Sequence, residues 1–214
     1  MSIPVPLEIL AQIIDTVAEE DPQFVAIKTC SLVCFEFVHL CRKHIFASIF
    51  LCNAPQLQRL LSTTPEIANH IRSLEYCILV EDLANASLFE TFTKITRLKS
   101  LTLEFNYTDE NHHFLPWNDN PLRPAILHLM HLPTLNHLKL ENINSFLLSD
   151  LMLCTNLDWL DLAELNKFEN DNDLVLKPST SPPLQLSELT VRGWYSSPIH
   201  EVMRSSKPKP ICRF

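Results

Sequence analysis

Four residues in the first fifty carry side chains that could hold a metal: Cys30, Cys34, Cys41 and His44. A structural zinc site gathers four sulfur or nitrogen donors, usually as close pairs from turns. Here the spacings are helical, so the set reads as buried free thiols. His112 and His113, just after Asp109 and Glu110, could close on a metal in a loop. The plainer reading of that stretch is a solvated polar loop. A metal-dependent enzyme built there would purify with stoichiometric metal and lose it when both histidines become alanine. A cysteine–histidine nucleophile needs a reactive thiolate in a polar cleft, and nothing in the sequence points to one. Asp158 and Asp161 fall at variable positions of a strand, where side chains are ordinarily just exposed. Gly193 is the sole glycine, so no phosphate-cradling glycine loop can be built. The residues name no catalytic group, no cofactor and no metal.

The bulk properties narrow the class further. The chain has 214 residues, 46% hydrophobic and 20% charged, which describes one or two globular domains. Seventeen basic against twenty-five acidic residues leave a net charge of −8. A nucleic-acid backbone calls for a basic surface, so that partner is disfavoured. Seven cysteines, mostly within apolar patterns and with no secretory signal in front of them, read as thiols in a reducing compartment. The apolar run from Ile45 to Cys52 is broken by Ser48 and is too short to span a bilayer. No membrane partner is expected.

The elements that would position any site begin with a helix after Pro6, which fits a first helical turn. It should run to about Ala18 or Glu19. Leu7, Leu10, Ile14 and Val17 share one face. Ile9 and Ile13 form a second stripe, and two stripes call for burial on two sides. The spacing predicts a second helix capped by Asp21 with Pro22 at its first position, carrying Phe24, Val25 and Ile27. A third helix is predicted over about Ser31–Phe46, with Leu32, Val33, Phe37, Leu40 and Cys41 facing the core or a partner. Arg42, Lys43 and His44 suit the negative end of its dipole. A helical unit of this size is marginal alone.

In order and spacing, Pro6-Leu7-Glu8-Ile9-Leu10, Ile13-Ile14, Asp21-Pro22, Ser31-Leu32-Val33-Cys34, Phe37 and His44-Ile45-Phe46 resemble an F-box of the fungal type. The likeness covers about residues 4 to 50. Val5 stands where the family usually has leucine. Phe35 and Glu36 stand where it often has a basic and a small residue. Phe37 takes the aromatic position, commonly tryptophan. The resemblance implies a substrate-receptor subunit of a Skp–cullin–F-box ubiquitin ligase, cytoplasmic or nuclear, that does no bond chemistry itself. Its contacts with the Skp-type adaptor, and through it cullin, would be Pro6, Leu7, Ile9, Ile13, Leu32, Val33 and Phe37.

After a short helix from Ala54, with Leu57, Leu60 and Leu61 on its apolar side, a second pattern begins. It reads apolar, two variable, apolar, one variable, apolar. It appears as Ile71-Leu74-Tyr76, Leu98-Leu101-Leu103, Leu135-Leu138-Leu140, Leu157-Leu160-Leu162 and Leu186-Leu189-Val191. This is the core of a leucine-rich repeat, and only the second copy continues to an asparagine, Asn106. The steps of 27, 37, 22 and 29 residues make the array irregular. Helical stretches over 83–95, 124–131 and 146–153 lie between the copies. The expected fold is therefore α/β: an F-box-like module over 1–50, a short irregular repeat array over 54–204 with parallel strands on one side and helices on the other, and a flexible tail over 205–214. Residues 106–121, with Trp117, and 166–183 read as polar loops. The array stops soon after a repeat-like strand, without an obvious polar cap.

Variable positions beside the core leucines line the sheet face that a target protein would meet. Lys139, Trp159, Asp161 and Arg192 are the leading candidates there, among neighbours that include Glu75, Thr102, Glu104, His137, Glu141 and Thr190. Trp159 reads either as a contact residue or as one packed sideways on the next repeat. The alternative to the ligase reading is a repeat scaffold whose F-box is degenerate or only caps the array. On that account Leu7→Asp or Ile9→Asp would damage stability and not partner binding.

Overall fold

The computed structural model describes residues 5–21, 23–106, 117–143, 145–163, 168–169, 186–192 and 211–213. The chain is α/β, as its sequence predicts. It opens with helices α1 (Leu7–Glu20), α2 (Val25–Cys30) and α3 (Phe35–Ile45). Ile14, Ile27 and Cys41 form their common core, with Val17, Ala18, Phe24, Phe37, Leu40 and Ile45 packed around them. That core is small, as a unit of this length must have.

Two predicted boundaries move. α2 begins at Val25, not at Pro22, and Phe24 precedes it in the left-handed region at φ 55°. Asp21 still serves the helix start, because its Oδ2 accepts the Ala26 N–H at 2.6 Å. α3 begins at Phe35 and not at Ser31. Residues 31–33 form a turn, with Leu32 N–H donating to the Thr29 carbonyl and Val33 N–H to the Cys30 carbonyl. Extended Cys34 then sets the angle at which α3 leaves.

Asp15 ties α1 to α3. Its Oδ1 receives Lys43 Nζ at 2.5 Å and His44 Nε2 at 2.7 Å. The hydrogen bond from Lys43 lowers the Asp15 pKa most; slight burial opposes it, and His44 adds a smaller lowering. A carboxyl depressed in the folded state stabilises above its unfolded pKa and loses that contribution as pH falls through the folded value. Asp15→Asn should therefore be less stable than wild type near neutral pH, with a lower thermal midpoint, by less than about 1 kcal/mol because the group is half exposed. The gap should close as pH falls below about 4. Melting curves across that range check it.

From Ser48 the chain builds a parallel sheet. Among the described residues its strands are β1 (Ser48–Leu51), β2 (Ser73–Ile78), β3 (Ser100–Phe105), β4 (His137–Glu141), β6 (Trp159–Ala163), β8 (Glu188–Arg192) and β9 (Ile211–Arg213), side by side in that order. A separate parallel pair joins β5 (Phe146–Leu147) to β7 (Phe168–Glu169). Between the main strands lie α4 (Ala54–Thr63), α5 (Leu88–Thr93), α6 (Arg123–Met130) and α7 (Leu148–Leu151). Parallel crossovers are right-handed almost without exception. With strands added always on the same side, that handedness returns every connection over the same face of the sheet.

The five predicted copies align. Leu74, Leu101, Leu138, Leu160 and Leu189 stand opposite one another, as do Tyr76, Leu103, Leu140, Leu162 and Val191. All except Val191 are buried. Their face packs against Leu57 and Leu61 of α4, Leu88 and Phe92 of α5, and Ile126 and Leu129 of α6. Those pairs are three or four residues apart, which places them on one helical face. Five successive junctions of the main sheet, from β1 to β8, repeat one hydrogen-bond device. The Ala47 carbonyl accepts both Arg72 and Ser73 N–H groups, each at 2.8 Å. The Arg72, Lys99, Asn136 and Asp158 carbonyls do the same for the first residues of the next strand.

Three readings change. Phe46-Ile49-Leu51 is a further copy, at the same spacing, pairing with Leu74 and Tyr76 through β1. The sheet thus starts inside the segment assigned to the helical module. β9 lies within the tail read as flexible. Trp117, read as part of a polar loop, is a core residue. It is 1% exposed and sits between Phe105, edge-on at 6.3 Å, and Phe146, tilted at 5.2 Å. Its indole N–H donates to Asp150 Oδ2 at 2.6 Å, and Arg123 grips the same buried carboxylate through Nε at 3.0 Å and a second nitrogen at 2.9 Å.

Candidate docking surfaces

The helical module leaves much of its apolar surface uncovered. The α1 stripe of Leu10, Ile14 and Val17 turns inward, while Ile9 and Ile13 stay exposed. Leu7, placed by its spacing on the inner stripe, is also exposed, because the first turn of α1 runs past the small core. Pro6 is exposed and its carbonyl accepts the Ile9 and Leu10 N–H groups. In the turn before α3, Leu32 is 85% and Val33 68% exposed. Phe35 follows, exposed and edge-on to the His39 ring at 4.5 Å. Of the residues that the F-box resemblance marks as adaptor contacts, only Phe37 is drawn into the module. Val25 and Phe35 are exposed apolar groups outside that set. Scattered exposed leucines are ordinary. This many in a unit whose own core holds three buried residues are not.

The face of the sheet turned away from the leucine core is largely polar and carries ion pairs among Lys139, Glu141, Asp161 and Arg192. Strand register sets it out in rows. One runs Phe50, Glu75, Thr102, Lys139, Asp161 and Thr190. Another runs Cys77, Glu104, Glu141, Ala163 and Arg192. Lys139 Nζ meets Glu141 at 2.9 Å. Arg192 binds Asp161 with two nitrogens and stands 3.8 Å from Glu141. Asp161 is thereby buried, against the expectation that it would simply be exposed. Its partner lies diagonally across one strand, two residues beyond the direct opposite, a contact that the aligned repeats make readable. Arg192 covers it and remains exposed, so Arg192 and half-buried Lys139 offer the cationic side of this face. Trp159 is half buried beside the His137 ring at 5.9 Å, packed sideways on the neighbouring strand. Asp158 is exposed, and its carboxylate accepts the Ser187 hydroxyl.

The four residues considered for zinc do not converge on one point, although Cys30 packs beside Cys41 in the module's core. Cys34 is exposed, Cys41 is buried and His44 is engaged by Asp15. Among the described residues, no group of three or more histidine, cysteine and acidic side chains is placed to hold a metal ion. His112, His113, Asp109 and Glu110 lie outside the described residues. Burial pushes the Cys154 thiol up to about 12, with Asp150 adding to it, and raises those of Cys41 and Cys77. Among the described residues, no helix is long and apolar enough to cross a membrane.

No protein-family model matches the chain, and no curated protein or solved structure matches it.

Proposed function

We propose that this chain is the substrate receptor of a Skp–cullin–F-box ubiquitin ligase, in which residues 1–50 act as the F-box and the parallel sheet with its helices as a short leucine-rich array. The observation that carries this reading is the uncovered apolar surface of the first three helices. Pro6, Leu7, Ile9, Ile13, Leu32 and Val33 are exposed, at the positions where the F-box pattern puts adaptor contacts. Burying one large aliphatic side chain is worth about 1.5–3 kcal/mol, so several on one surface suffice for a stable complex once binding costs are met. The receptor breaks no bond. It holds a target, through the outer sheet face, near a ubiquitin-loaded enzyme and raises the local concentration of one to the other. Such a complex works in the cytoplasm or nucleus, where free thiols persist.

The scaffold alternative rests on a different observation. β1 follows α3 directly, and Arg42 of α3 lies 3.7 Å from Glu66, which places the end of α3 near the first edge of the sheet. That account makes the apolar residues structural, yet Leu7 is 53% and Ile9 45% exposed. Exposed side chains contribute little to folding.

Co-expression with a Skp-type adaptor, then size exclusion and calorimetry, separates the two. Wild type should form a one-to-one complex. Leu32→Asp should remain folded, within about 0.5 kcal/mol of wild type, and lose the complex. A soluble, folded wild-type chain that forms no complex would leave the scaffold as the better account.

A further inference from the structure

Register pairs Leu51 of β1 with Tyr76 of β2, and the next residue in each strand direction is a cysteine. Leu51 and Tyr76 point into the leucine core, so alternation turns Cys77 toward the outer sheet face, and Cys52, the residue after β1, comes next to it. Adjacent strands lie about 4.8 Å apart, inside the window of about 4.4–6.8 Å between Cα atoms that a disulfide requires. Both thiols are free, and Cys77 lies within electrostatic reach of Cys52. Their exposure differs. Cys52 is open to solvent, in a bend just past the end of β1. Cys77 is 9% exposed, inside β2.

We propose that Cys52 and Cys77 form a reversible redox site whose substrate is a hydroperoxide. The Cys52 thiolate, being exposed, meets the oxidant first. It attacks the peroxide oxygen, breaks the O–O bond and becomes a sulfenic acid, releasing hydroxide, which takes up the proton that Cys52 lost. The Cys77 sulfur then attacks the Cys52 sulfur. The S–O bond breaks, the Cys77 proton leaves with the oxygen as water, and the S–S bond forms. Overall, two thiols and one hydrogen peroxide give one disulfide and two waters. Burial raises the Cys77 pKa, which keeps this thiol from reacting with the oxidant itself, so its part in the reaction rests on its position beside Cys52. A small dithiol restores both thiols by exchange. The bridge would lock β1 to β2, at the join between the three helices and the sheet. This inference stands apart from the ligase reading, since it needs only the strand register.

The test is peptide mapping of the full chain after brief treatment with hydrogen peroxide and alkylation of the remaining thiols. Trypsin cuts after Lys43, Arg59, Arg72 and Lys94, so Cys52 and Cys77 fall in separate peptides, 44–59 and 73–94, each with no other cysteine. The expected product, from monomeric protein, is these two peptides joined with the loss of two hydrogens, and separated by dithiothreitol. Cys52→Ser should abolish it, while Cys34→Ser, at another exposed cysteine, should leave it unchanged. Recovery of both peptides alkylated, of Cys52 over-oxidised with Cys77 alkylated, or of Cys52 bridged elsewhere or to a second molecule would overturn the proposal.

Discussion

Trp117→Ala should cost about 3–5 kcal/mol of folding free energy, a large fraction of the roughly 5–15 kcal/mol that ordinarily holds a domain together. Two losses add. The indole fills the space between Phe105 and Phe146, and alanine leaves a cavity there. The indole N–H also donates to the buried Asp150 carboxylate, which would keep only Arg123 as its charged partner. Trp117→Phe isolates the second loss. It keeps most of the volume, removes the donor, and should cost about 1–3 kcal/mol. Urea unfolding followed by circular dichroism measures both. Equal midpoints for wild type and Trp117→Ala would place Trp117 outside the core.

Leu138→Ala should cost about 2–5 kcal/mol. Leu138 sits on a central strand, between Leu101 and Leu160, and is fully buried. In a sheet of sequential order each strand rests on its two neighbours, so the loss acts on both sides of β4. Leu7→Ala is the internal control. It removes the same atoms from an exposed position and should change stability by no more than about 0.5 kcal/mol. The difference between the two leucines, read from the same denaturant titration, tests the division into core and docking surface. A large loss from Leu7→Ala would instead give α1 the capping role of the scaffold account.

The leucine ladder was legible because its signal is local and repeated. Leucines at a fixed spacing, five times over, set the strands, the register and the buried face. The copy at Phe46-Ile49-Leu51 has the same spacing, but it runs on from α3 and uses phenylalanine and isoleucine, so it read as the end of the helical unit. The second stripe of α1 was legible for the same reason, since helical periodicity left Ile9 and Ile13 without a core. The turn at residues 31–33 was not, because Leu32 and Val33 are apolar and the backbone turns there without glycine or proline. Trp117 lies in a polar stretch, and its partner Asp150 is 33 residues away in the chain. No local pattern carries that pairing. The burial of Asp161 falls between these cases: its partner Arg192 is distant in sequence, yet two positions along an aligned strand.

The unequal steps between copies bear on how such a chain can change length. The carbonyl that accepts two N–H groups before each main-sheet strand from β2 to β8 recurs across steps that differ by fifteen residues, from 22 to 37. Register is therefore set at the strand starts and is indifferent to what lies between them. Closing a connection twice as long costs only about 0.6 kcal/mol. Insertions and deletions in the connections can thus accumulate over generations without shifting a single leucine from the core, and divergence would erase the period of the sequence long before it disturbed the sheet.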